Sequence, residues 1–131
     1  MSSRTTLAVT FAGCLVALGL TAVSVPAQSA VATCAGVPAT IVGTDGADKL
    51  LGTPGDDVIA ALDGADVVVA GGGNDLVCGD AGPDELVGGL GNDRLYGGAG
   101  NDHLDGGGGS NDLGVGGPGN DTFVRCERRR P

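Results

Sequence analysis

Aspartate recurs every nine residues through most of this chain: Asp48, Asp57, Asp66, Asp75, Asp84, Asp93 and Asp102. Two residues before each stands a glycine, at Gly46, Gly55, Gly64, Gly73, Gly82, Gly91 and Gly100, and the glycine period runs on to Gly109. A carboxylate set among glycines is a source of hard oxygen ligands. The side chain brings charge, and a backbone bare of side chains presents its carbonyls. That donor set suits a hard divalent cation such as calcium, which takes roughly six to eight oxygens and accepts carbonyls as readily as carboxylates.

Other chemistries find little support. His103 is the sole histidine, and no serine-centred elbow or histidine cluster assembles a triad or a zinc site. The glycine run Gly106 to Gly109 leads into Ser110-Asn111, without the lysine and helix of a phosphate loop. No D-x-D-x-D-G run with a glutamate at the twelfth place makes an EF-hand. The net charge of −9 gives no reason to expect a nucleic-acid partner. Asp45, Asp63, Asp80 and Asp105 fall outside the periodic place and read as solvated surface, while Asp56, beside Asp57, could serve either way.

The elements that carry the aspartates follow from the same period. Two residues after each aspartate comes a large aliphatic: Leu50, Ile59, Val68, Val77, Leu86, Leu95 and Leu104. Counting Gly43 as position 1 of the first unit puts aspartate at position 6 and the aliphatic at position 8. Side chains alternate along a strand, so position 8 faces a core and position 7, with Lys49, Glu85, Arg94, His103 and Thr122, mostly faces water. Each unit thus reads as a six-residue loop and a three-residue strand. Such a strand is too short to stand alone and must be stacked on others. Gly at positions 1, 2 and 4 permits positive φ and close backbone approach in the loop. The chain has 27 glycines and only three aromatics, Phe11, Tyr96 and Phe123, a composition that is periodic or disordered rather than globular.

The cleanest units are Gly88-Gly89-Leu90-Gly91-Asn92-Asp93-Arg94-Leu95-Tyr96 and Gly97-Gly98-Ala99-Gly100-Asn101-Asp102-His103-Leu104-Asp105. They match G-G-x-G-x-D-x-U-x, with U aliphatic, and the chain resembles the hemolysin-type calcium-binding repeat, or RTX, family from Gly43 to Val124. The resemblance implies an all-β fold, a right-handed parallel β-roll in which two parallel sheets sandwich the position-8 side chains. It implies ions between loops two units apart, each shared by two aspartates, so that Asp48 pairs with Asp66 and Asp57 with Asp75. About seven calcium sites result. The implied ligands are Asp48, Asp57, Asp66, Asp75, Asp84, Asp93, Asp102, Asp112 and Asp121. Backbone carbonyls of Gly43, Gly46, Gly52, Gly55, Gly64, Gly73, Gly79, Gly82, Gly88, Gly89, Gly91, Gly97, Gly98 and Gly100 complete the set. A short core cannot offset the ordering of so glycine-rich a chain, so folding is expected to await calcium. Affinity is expected at the weak end, ~10⁻⁴–10⁻³ M.

Near the end the register slips. The segment from Gly106 to Val115 holds one residue too many. If Ser110 is extra, Asp112 keeps the ligand place and Gly114 falls in the core. If Val115 is extra, Leu113 keeps the core and Asn111 takes the ligand place. Either way one site is expected to be weakened. The ninth unit, Gly116 to Val124, is regular again with Phe123 at position 8.

The ends divide the chain further. Residues 1–32 read as a secretory signal peptide, with Arg4, an uncharged apolar run from Leu7 to Val25, and Ala30-Val31-Ala32 at the cleavage site. An uncleaved anchor, or a lipid on Cys14, is the competing reading. A signal at this end departs from the family's usual C-terminal export route. Residues 33–42 read as an N-terminal cap with Thr40-Ile41-Val42 as a strand, 43–124 as the β-roll of nine repeats, and 125–131 as a basic C-terminal tail. Cys34, Cys78 and Cys126 leave one thiol free or paired between chains, with Cys34–Cys78 the favoured disulfide. Little room remains beside the repeats for a catalytic domain. The expectation is a secreted, extracellular calcium-binding scaffold and not an enzyme. Alternatives are a cell-envelope adhesin or surface component, using the Arg125 and Arg128–Arg130 cluster and the spare thiol, or an accessory to a hydrolase or toxin.

Overall fold

The computed structural model describes residues 30–131; apart from residues 30–32, the expected signal peptide lies outside them. The described chain is all-β. A two-strand antiparallel hairpin opens it, β1 (Thr33–Cys34) with β2 (Val37–Pro38). The repeats then supply β3 (Ile41–Val42), β4 (Lys49–Leu51), β5 (Val58–Ala60), β6 (Val67–Gly72), β7 (Leu76–Ala81), β8 (Glu85–Leu90), β9 (Arg94–Ala99), β10 (His103–Gly108), β11 (Leu113–Val115), β12 (Thr122–Val124) and β13 (Arg128–Arg130). Successive strands alternate between two sheets. One has five strands in the order β12-β10-β8-β6-β4, the other six in the order β13-β11-β9-β7-β5-β3. Every pairing in both sheets is parallel.

The nine-residue period sets this topology. Two units make one turn, so like positions eighteen residues apart stack: Val68 on Leu86 and Leu86 on Leu104 in one sheet, Ile59 on Val77 and Val77 on Leu95 in the other. These position-8 side chains are fully buried and meet between the sheets, joined by Ala61 and Ala70. Ile41 and Leu50 cover one end of this core and Phe123 the other.

Strands β6 to β10 are six residues long, not three. They run on through positions 1 to 3 of the next unit, and Gly71 pairs with Gly89, and Gly89 with Gly107. Position 2 turns the chain there: Gly89 has φ 111 and Gly98 φ 99, a region costly to side chains bearing a Cβ.

The slipped unit keeps Asp112 at the ligand place and Gly114 opposite Leu95 in the core. The eighteen-residue spacing still holds at Ser110, whose amide faces Asn92, and becomes nineteen at Asp112. The extra residue is therefore Asn111, neither the Ser110 nor the Val115 of the two registers left open by the sequence, although the outcome at Asp112 and Gly114 is that of the first. A Cβ on Gly114 would lie 2.8 Å from Phe123 Cδ1 and 3.0 Å from Cys126 Sγ. The volume an aliphatic would fill is taken by those two side chains.

Cys126 is thus a core residue, 2% exposed, and burial pushes its thiol up from the ordinary value. Of the two readings open for the odd cysteine, free or paired between chains, the structure holds a free thiol, and it is buried in the core. Cys34 is bonded to Cys78, with Cα atoms 5.5 Å apart, which ties the opening hairpin to the fourth unit. The basic end differs from a solvated tail as well. Arg128, Arg129 and Arg130 pair with Leu113, Gly114 and Val115 while their side chains stay in water.

Candidate metal centres

The position-6 aspartates form two ladders, one along each flank of the roll. The Asp48 amide donates to Asp66 Oδ1 at 2.7 Å, Asp66 to Asp84 at 2.9 Å, Asp84 to Asp102 at 2.9 Å and Asp102 to Asp121 at 3.0 Å. In the second, Asp57 donates to Asp75 at 2.8 Å, Asp75 to Asp93 at 2.9 Å and Asp93 to Asp112 at 2.8 Å. One carboxylate oxygen of each rung thereby holds the turn before it.

The other oxygen is exceptional. Oδ2 of Asp66, Asp75, Asp84, Asp93, Asp102 and Asp112 is buried and has no hydrogen-bond partner. A buried carboxylate oxygen left unpaired is among the most expensive groups a fold can hold. Among the described residues the only ion pair is Arg125 with Asp105, on the surface, so no basic side chain neutralises the ladders. Burial pushes all six carboxyls above the ordinary range, partly offset by the amide that each accepts and reinforced by like-charged neighbours. For Asp75 and Asp84 the result is about 6.

Glycine packs around these oxygens. A Cβ on Gly79, Gly88 or Gly97, all at position 1, would overlap Oδ2 of the same unit's aspartate. At position 4, a Cβ on Gly82, Gly91 or Gly100 would overlap the carbonyl oxygen of Gly64, Gly73 or Gly82 one turn below. The loops therefore stack carbonyl upon carbonyl beside the carboxylates. Among the described residues no three His, Cys, Asp or Glu side chains gather around one point. Any ion held here draws on one or two carboxylates, with carbonyls for the remainder. Hard oxygens, uncompensated charge and a cradle too small for a Cβ fit calcium's donor preference.

Three of the nine aspartates fall outside this group. Asp48 Oδ2 accepts the Thr44 amide at 2.6 Å and the Thr44 hydroxyl at 2.9 Å. Asp57 Oδ2 accepts the Thr53 amide and hydroxyl at the same two distances. Asp121, near the other end, is half-buried and outside the group of unpartnered oxygens.

A further acid joins the second ladder: the Asp112 amide donates to Glu127 Oε1 at 2.9 Å. Glu127 precedes β13 as each aspartate precedes its strand, so the supposed tail is a tenth, degenerate unit. The acid immediately before Arg128 was its signal in the sequence. His103 sits on the outer face with Nδ1 2.7 Å from Thr122 Oγ1, away from the ladders.

Parallel strands stacked at a fixed repeat, with carboxylates lining each bend, define a structural repeat protein, a calcium-binding type of β-roll. The RTX calcium-binding nonapeptide repeat matches residues 42–77, 79–113 and 107–124, and the chain belongs to that family. No curated protein matches the chain.

Proposed function

We propose that the chain is an exported scaffold that takes up several calcium ions along its two aspartate ladders and folds as it does so. The observation that carries this reading is the set of six buried, unpartnered Oδ2 atoms. Without a cation they set unpaired charge in a dry interior; with one, the same oxygens become ligands. Calcium would supply positive charge and a demand for oxygen donors. The chain's part is to align carboxylates and carbonyls, hold each rung to the next through Oδ1, and exclude water by burying the core.

Export rests on the leader read from sequence, and extracellular fluid would supply calcium at the ~10⁻⁴–10⁻³ M suited to weak modules. The partner proposed is the ion itself. The Arg128–Arg130 edge is the part of the chain suited to meet an anionic envelope. Equilibrium dialysis of the exported chain against calcium, with magnesium as control, tests the reading. Uptake of several calcium ions per chain is expected. Uptake of none, or equal uptake of magnesium, would overturn it.

A further inference from the structure

The loops fall into two conformations, and the division coincides with the state of the carboxylate. In the third to ninth units position 2 is left-handed: Leu62 φ 80, Gly71 φ 109, Asp80 φ 72, Gly89 φ 111, Gly98 φ 99, and likewise Gly107 and Gly117. Its amide then serves the stacking, as where Gly98 donates to the Gly116 carbonyl at 2.8 Å. Oδ2 of the same loop's aspartate is left without a donor from Asp66 to Asp112. In the first two units position 2 is Thr44 or Thr53, and neither is left-handed. A β-branched residue resists that region strongly. Its amide instead points inward, and amide and hydroxyl together occupy Oδ2 of Asp48 or Asp57. Each hydroxyl also accepts the position-4 amide, Gly46 at 3.2 Å and Gly55 at 3.1 Å, closing the loop on itself.

We infer that Thr44 and Thr53 close the first two rungs to calcium, so that the metal sites begin at Asp66 and Asp75 and the first turn of the roll folds without metal. This rests on the calcium reading above and narrows it. A threonine here does for the carboxylate what the ion does elsewhere, supplying donors to an oxygen that burial would otherwise leave bare. The Cys34–Cys78 bond fastens the hairpin onto this same end. A metal-independent first turn gives the remaining strands an edge on which to stack as calcium arrives. At the opposite end Glu127 stands in the rung after Asp112, so each of the six unpartnered oxygens has an acid one turn beyond it.

The test compares calcium counts by equilibrium dialysis for the exported chain and two double variants. Asp48→Asn with Asp57→Asn should bind as many ions as the unaltered chain. Asp84→Asn with Asp93→Asn should bind about two fewer, or fewer still. Loss of ions in the first variant equal to that in the second overturns the inference and leaves the calcium reading intact. An unaltered chain that binds no calcium overturns both. Hydrogen exchange of the unaltered chain in chelator needs no variant to fold. Protection of the Thr44 and Thr53 amides, with amides from Asp84 to Asp112 exchanging freely, is expected; uniform exchange along the chain overturns the inference.

Discussion

The amide of Asp75 donates to Oδ1 of Asp93 at 2.9 Å, while Oδ2 of Asp93 lies buried with no partner. The two oxygens of one side chain therefore have separate roles. One splices neighbouring turns, and the other is left for something the polypeptide does not provide.

Replacing Asp93 by asparagine keeps its shape and its Oδ1 acceptor but removes the charge. Charge-assisted contacts are worth ~1.5–3 kcal/mol. The calcium midpoint of folding should rise about tenfold or more. A calcium titration followed by circular dichroism reads this directly, and an unchanged midpoint would remove Asp93 from the ligand set.

The metal-free fold should favour acid. Burial raises Asp75 and Asp84 from 3.8 to about 6. Between those values the folded chain binds more protons than the unfolded one, so stability falls as pH rises. The contribution is fully present below the unfolded value and is lost as pH climbs through the folded value. In chelator, β-signal should grow as pH is lowered from 7 toward 4. Calcium uptake should weaken over the same descent, because protons compete for the same oxygens. A metal-free chain least folded at pH 4 would contradict this.

Gly82 lies at φ 118, and a Cβ there would overlap the Gly64 carbonyl oxygen. Gly82→Ala combines backbone strain with a clash against backbone that has nowhere to move. It should destabilise the calcium-loaded fold by about 2 kcal/mol or more. Gly46 is a control at the same position of its unit, with open space around a Cβ and only the Thr44 hydroxyl 3.8 Å away. Gly46→Ala should be nearly neutral in thermal unfolding.

Opening the Cys34–Cys78 bond releases a closed loop with a sequence separation of 44. Loops of that size place the loss at about 2–4 kcal/mol. The Cys34→Ala, Cys78→Ala chain should need more calcium to fold and lose hydrogen-exchange protection first in the opening turn. Cys126, buried at the other end, should react with thiol reagents only upon unfolding.

Much of this architecture is legible in the sequence because the period is strict. Aspartate, glycine and aliphatic in one register predict short stacked strands, an inward position 8 and a carboxylate in each loop. The family resemblance adds the two parallel sheets, and Val68, Val77, Leu86 and Leu95 are buried as that pattern requires. What the pattern hides are residues whose meaning depends on geometry. Thr44 and Thr53 look like ordinary replacements for glycine until the direction of their amides is known. Strands β6 to β10 run on through left-handed turns at position 2, where even Asp80 complies, a conformation that the sequence does not announce at a non-glycine residue. The slip at Asn111 left two registers open because Gly114 in a core looks implausible. It becomes reasonable once Phe123 and Cys126 fill the space. Glu127 and its strand were masked by a run of arginines that reads as a solvated tail, since strand pairing uses only their backbone.

Far-UV circular dichroism of the exported chain during a calcium titration, with magnesium as control, tests the central claim most directly. The account predicts a small β-signal in chelator from the first turn, then a cooperative gain with calcium near ~10⁻⁴–10⁻³ M that magnesium does not reproduce. A spectrum that stays unchanged through ~10 mM calcium, well above that range, would contradict it.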